Sequence, residues 1–170
     1  MKNQIKTTTP AFLTARDRAR KLLSDISYRL ETAAELNGVE IINDSKATDL
    51  ASTFYSLELM DKPVVWMVGA NELEEDYSVF QKVVKYKVKS IVSFGKAEGG
   101  LKLIRELEPY VDHMSWYDSL DIAVFKAWTH CKAGDALLFS PATPSFDMYE
   151  DFRTRGDAFN RMIERLEKDA

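Results

Sequence analysis

The sequence predicts a three-layer α/β domain, a mainly parallel sheet of about five or six strands with helices on both faces. Three observations carry this. Short apolar stretches of β-type composition recur along the chain. Segments with helical spacing lie between them. No internal repeat, low-complexity segment or interdomain linker interrupts the alternation, which is the pattern of one continuous sheet wrapped by crossover helices. The 170 residues fit one domain, and 45% hydrophobic with 29% charged residues can fill a core and keep a wet surface.

Taken in order, residues 1–10 have no period and read as a mobile tail, and residues 13–24 read as a short helix. The domain boundary is therefore drawn at a basic tail and short helix, 1–22, and a globular part, 23–170. Strands are expected at 39–42, 64–68, 90–94 and Ala136–Phe139, with a weaker one at 113–116 and a further edge strand at 33–36. Leu50, Phe54 and Leu57 are spaced as on one helical face, as are Tyr77, Phe80 and Val84. Leu120, Ala123, Val124, Ala127 and Trp128 line another, and Phe159, Met162, Ile163 and Leu166 a fourth.

Composition narrows the function. One cysteine, Cys131, forbids an internal disulfide and reads as a small apolar helix residue. No apolar run reaches the ~18 residues of a membrane span, and no apolar signal segment opens the chain, so a cytoplasmic address is expected. The net charge is −4, but residues 1–30 carry seven Lys/Arg against two Asp, leaving −9 on the remainder. The basic cluster Arg16, Arg18, Arg20 and Lys21 has no interleaved aromatics and reads as a solvated linker or helix face rather than a nucleic-acid arm. His113 and His130, the only histidines, have no partners at metal-ligand spacing. Neither a P-loop string nor a nucleophile elbow occurs in the chain, and no metal site or catalytic residue is assigned.

In open parallel sheets, ligands bind beyond the carboxyl ends of the strands. Four loops are expected there: 43–49, 69–76, 95–100 and 140–146. In Asn43-Asp44-Ser45-Lys46-Ala47-Thr48-Asp49 a lysine, hydroxyls and a helix start converge, either as an anion site or as an ordinary N-cap by Thr48 or Asp49. Ser140-Pro141-Ala142-Thr143-Pro144-Ser145-Phe146-Asp147 is a polar turn after a very apolar strand. Asp151-Phe152-Arg153-Thr154-Arg155-Gly156-Asp157 reads as a charged helix start with a glycine break. Gly95-Lys96-Ala97-Glu98-Gly99-Gly100 reads as a solvated βα loop.

Together these strings resemble the C-terminal domain of the Mur-type amide ligases. Tyr28-Arg29-Leu30-Glu31, Glu35-Leu36-Asn37-Gly38-Val39 and Asn43 through Thr48 resemble the start of that domain. Ser140-Pro141-Ala142, Ser145-Phe146-Asp147 and Phe152-x-x-Arg155-Gly156-Asp157-x-Phe159 resemble its closing signature. The D-glutamate-adding ligases of peptidoglycan synthesis match best, over about Leu23 to Leu166. The resemblance implies a Rossmann-like domain that closes over ATP and presents an amino acid. ATP and magnesium belong to the full-length family, whose P-loop and magnesium ligands lie in a central domain, so this chain alone is expected to need no cofactor and to be inactive.

By the same resemblance, Arg29 and Asp44 match positions facing the nucleotide. Lys46, Thr48, Ser145, Phe146 and Phe152 match positions at or beside the amino-acid site. The chain departs from the family at Tyr28 (usually His), at Asp49 (usually Asn) and in Gly69 through Ser78. There Leu73 replaces a lysine that contacts the glutamate side chain, Glu74 replaces a glycine, and Glu72 and Glu75 add charge. Lys46 is then the main cation left, and binding of free glutamate is expected to be weaker than ~1 mM, about −4 kcal/mol. The expected role is that of a degenerate stand-alone relative; the alternative is a detached part of an active ligase. Expected partners are other ligase domains or a cell-wall synthesis protein, with no nucleic acid or membrane.

Overall fold

The computed structural model describes residues 10–71 and 75–169. A helix, α1 (Pro10–Ser24), leads into a hairpin of β1 (Glu31–Leu36) and β2 (Val39–Asn43). Regular alternation follows: α2 (Leu50–Leu59), β3 (Val64–Ala70), α3 (Gln81–Lys87), β4 (Val88–Gly95), α4 (Ala97–Leu107), β5 (His113–Tyr117), α5 (Leu120–Thr129), β6 (Ala136–Phe139) and α6 (Phe152–Asp169). The six strands form one sheet in the order β1-β2-β6-β3-β4-β5. Only β1 runs antiparallel to its neighbour.

Sequence chemistry explains that order. Asn37 (φ 51°) and Gly38 (φ 76°) both adopt the left-handed conformation that a two-residue hairpin turn needs, so β1 folds back on β2. β1 carries Glu31 and Glu35 and stays at an edge, half-exposed. The all-apolar Ala-Leu-Leu-Phe of β6 is completely buried and inserts between β2 and β3. Alternate residues then feed two cores. Trp66, Val68, Ile42 and Leu138 face α2, α3 and α4, whereas Met67, Ile41, Leu137 and Phe139 face α5 and α6. This is the expected three-layer sandwich, and β4, α6 and β1 each run a few residues longer than predicted.

Three expectations need correction. The segment 95–100 is not a solvated loop. α4, which has no counterpart among the predicted elements, begins at Ala97, and Gly99 and Gly100 are buried in its first turn. A Cβ on Gly99 would lie 2.1 Å from the Asn71 carbonyl oxygen, and one on Gly100 2.3 Å from the Trp116 ring. The glycines let the helix pass over β3 and β5 at backbone distance.

Gly156 likewise breaks nothing. It lies within α6, where a Cβ would meet the Tyr28 ring at 2.4 Å. The helix starts at Phe152, capped by Asp151, whose carboxylate accepts the Thr154 N–H at 2.7 Å. Finally, α1 is docked rather than simply solvated. Ala19 and Leu23 pack on the core, and Arg20 pairs with Glu40 of β2.

Candidate functional site

Because β6 lies between β2 and β3, the loops leaving the carboxyl ends of β2 and β6 are neighbours, although about a hundred residues separate them in sequence. Main-chain bonds knit them together. The Ala142 N–H donates to the Ala47 carbonyl at 3.0 Å, and the Gly69 N–H to the Pro141 carbonyl at 2.8 Å. Ala142 holds φ at 58°, a conformation uncommon outside glycine, between two prolines. Asp49 caps α2 by accepting the Ser52 N–H at 2.7 Å, so the helix-cap reading of this loop holds.

Arg155 fastens the two loops from behind. It sits in the second turn of α6 and is 2% exposed. Its Nε donates to Ser45 Oγ at 3.1 Å, Nη2 to the Ser45 carbonyl at 2.8 Å and Nη1 to the Thr143 carbonyl at 2.8 Å. Ser45 Oγ in turn donates to the Phe152 carbonyl at 2.7 Å. No carboxylate lies within ion-pair distance of Arg155 among the described residues. Burial holds its guanidinium down to about 10, with the Tyr149 phenol opposing the shift. The cation is thus solvated by two carbonyl dipoles and the Ser45 hydroxyl.

In front of Arg155 lies an open depression whose empty volume, solvent included, is about 250 Å³. Gly69, Asn71, Thr143, Ser145 and Tyr149 form its wall with Arg155. The Asn71 amide donates to Thr143 Oγ1. Gly69 permits this approach, because a Cβ there would lie 2.2 Å from the Thr143 methyl. Ser145 is 4% exposed, and its hydroxyl engages no partner among the described residues.

The sequence-predicted residues divide into groups. Lys46, Thr48, Ser145, Phe146 and Phe152 all come to this one edge of the sheet. Lys46 is exposed, Thr48 half-buried and Phe146 78% exposed. The Lys46 ammonium lies 5.7 Å from the centre of the Phe152 ring, and Tyr28 meets that ring edge-on at 6.1 Å.

Arg29 and Asp44 face each other instead of solvent. Asp44 is completely buried; its Oδ1 accepts from Arg29 Nη1 at 2.6 Å and the Leu30 N–H at 3.0 Å, and its Oδ2 accepts from Ser140 Oγ at 2.6 Å. Burial pushes the Asp44 carboxyl up, and Arg29 and the hydroxyl bonds oppose that shift. In this arrangement neither carboxylate oxygen is open to a ribose hydroxyl. Glu72, Leu73 and Glu74 lie outside the described residues.

Sequence reasoning missed Arg153 and Arg155 as site residues. Both sat in a segment read as a charged helix start. The available signal was the Arg-Gly pair at 155–156, a buried cation beside the one residue that lets the helix touch the opposite loop.

Comparison with known proteins bears on this geometry. No family profile matches the chain. The UDP-N-acetylmuramoylalanine–D-glutamate ligase of Salinibacter ruber is 36% identical over 141 residues, which is 83% of this chain and 30% of that protein. A single domain of a UDP-N-acetylmuramate:L-alanyl-gamma-D-glutamyl-diaminopimelate ligase from Haemophilus ducreyi superposes with a TM-score of 0.53 at 11% identity. That match covers 83% of this chain and 98% of that domain. The chain belongs with the C-terminal domains of the Mur ligases.

A UDP-N-acetylmuramate–alanine ligase from Thermotoga maritima shares the fold as well, with a TM-score of 0.58 at 12% identity over 85% of this chain and 31% of its own. The chain spans about a third of the length of the curated relatives it matches. In this Mur ligase domain the fold brings residues 43–49 and 140–146, from the β2–α2 and β6–α6 connections, to one edge of the sheet.

Proposed function

We propose that this chain is the amino-acid-side domain of an amide-forming ligase of the UDP-N-acetylmuramoylalanine–D-glutamate type, and that it does not catalyse on its own. The observation that carries this reading is the convergence of Lys46, Thr48, Ser145 and Phe152 on one sheet edge, where Ser145 and Arg155 also line a small depression. Such an edge orients an incoming amine and its carboxylates. Making the acyl phosphate that the amine attacks is a different task.

Phosphoryl transfer rests on positioned metal ions and a phosphate cradle. The 170 residues contain no P-loop string. Arg29 and Asp44 are bonded to each other, which does not fit them to hold a nucleotide in this conformation. ATP and magnesium would act on the other ligase domains, and peptidoglycan synthesis in the cytoplasm is the setting this reading assigns.

Within it, a stand-alone binding module is favoured by the rewritten segment Glu72-Leu73-Glu74-Glu75, which removes a cation and adds carboxylates. A detached part that works with other ligase domains is favoured by the intact spacing of the motif loops. Phosphate release from magnesium-ATP by the purified chain tests the common core of both. Release at background rate is expected. Magnesium-dependent release that vanishes with Lys46→Ala would refute the reading.

A further inference from the structure

The sequence leaves Lys46 as the main cation of the amino-acid site once Leu73 stands where the family has lysine. The structure adds a second. The Arg153 guanidinium stacks on the Phe152 ring, 4.6 Å from its centre, and the Lys46 ammonium lies 5.7 Å from the same centre. The two charges are therefore at most about 10 Å apart, although they come from the β2–α2 loop and from α6.

The ring between them is fixed. Tyr28 packs edge-on against it, and its own carbonyl is held by Ser45 Oγ at 2.7 Å. Neither cation is neutralised by a strong partner. Lys46 has no carboxylate within ion-pair distance among the described residues. Arg153 meets only Asp151, at 3.5 Å and largely in solvent, where such a pair contributes little. The depression is lined by Ser145, Asp147 and Arg155 and not by Lys46, Phe152 or Arg153; Ser45 Oγ ties Arg155 to the Phe152 carbonyl and so links the two places.

We propose that Arg153 is a specificity-determining residue of this site. With Lys46 it forms a two-point clamp across Phe152 for an amino acid that carries a second carboxylate. This rests on the amino-acid-side reading above. One ligand carboxylate meets Lys46 and the other the guanidinium fork, whose planar donors suit a carboxylate. Both cations are exposed, so the contribution is modest and sensitive to salt.

NMR titration of the full chain with D-glutamate and with D-glutamine reads the second carboxylate directly. D-Glutamate should bind about three- to fivefold more tightly than D-glutamine, the discrimination one exposed charge pair supports. Arg153→Ala should bring that ratio close to one, Arg153→Lys should keep most of it, and Arg153→Glu should invert it. All three should leave the melting temperature in place, because Arg153 is 64% exposed.

An unchanged ratio in Arg153→Ala overturns the proposal. So does a wild-type chain with no preference, or with no saturable shift up to about 50 mM of either ligand, the range in which weak sites are read. Phosphate release by the chain would sink the functional reading without touching this ratio. A lost preference would sink the clamp and leave the chain's inactivity standing.

Discussion

Arg155→Met removes the fastening of the motif loops while keeping an unbranched side chain of similar reach. Three bonds disappear, at 2.8, 2.8 and 3.1 Å, and they leave the Ser45 and Thr143 carbonyls facing an apolar side chain. Each stranded buried acceptor costs about 1–3 kcal/mol. Relief from burying an unpaired guanidinium acts in the opposite direction, since replacing buried charge by apolar volume can be neutral or favourable. Here no carboxylate would be stranded in return, but two carbonyls would.

The net destabilisation should be about 2–5 kcal/mol, against the ~5–15 kcal/mol that a domain possesses. For a chain of this length that lowers the melting temperature by about 5–15 °C. Urea and thermal unfolding measure it. Arg155→Lys, which keeps the charge but not the fork, should fall between wild type and Met. A loss below about 0.5 kcal/mol for Arg155→Met would refute the fastening role of Arg155, because surface substitutions alone are that small.

Other outcomes follow from the same structure. Asp44→Asn strands the Arg29 cation beside Ser56 and should destabilise by about 3–5 kcal/mol, the effect of breaking a buried pair from one side, read by urea unfolding. Gly99→Ala should destabilise the domain, because its Cβ meets Asn71 backbone at 2.1 Å, whereas Gly134→Ala meets no atom within 4 Å and is limited only by its φ of 94°; thermal melts of the pair separate crowding from strain. His130 is held below the ordinary histidine range by burial, then by the facing His113 ring and Lys89. Its folded pKa lies below the unfolded one, so its contribution is present above about pH 6.5 and is lost as pH falls through the folded pKa. His130→Gln should flatten that part of the stability profile.

The fold was legible in the sequence because its signals are local. Four of the strands are short apolar stretches that must be buried on both faces, and the helices between them show their periodicity plainly. Asn37-Gly38 carries hairpin-turn chemistry as well, although it was read from the sequence only within a motif string. α4 escaped because its first turn is Lys-Ala-Glu-Gly-Gly, and two helical glycines read as a loop; only the closeness of Asn71 and Trp116, which no sequence window contains, explains them.

The motifs told which loops would share an edge, but not which contacts they would make. Lys46, Thr48, Ser145 and Phe152 do share an edge, but their partners come from across the sheet. Charge along α6 gave no reason to separate Arg155, buried against Ser45 and Thr143, from Arg153, exposed on Phe152. The mutual engagement of Arg29 and Asp44 was equally invisible, since they stand fifteen positions apart with a hairpin between them.

The convergence of the β2–α2 and β6–α6 loops on one sheet edge is tested most directly by a distance in solution. Cys131 has its thiol pushed up to about 12 by burial, so it resists labelling, and Cys131→Ser removes any residue of doubt. Spin labels on Asp49→Cys and Asp147→Cys, both at exposed positions, then report the separation of the two loops. A single distribution centred below about 25 Å is predicted, the reach of two flexible labels on neighbouring strands spaced ~4.8 Å apart. A distribution centred beyond about 35 Å, as for loops at opposite ends of the strands, would contradict it.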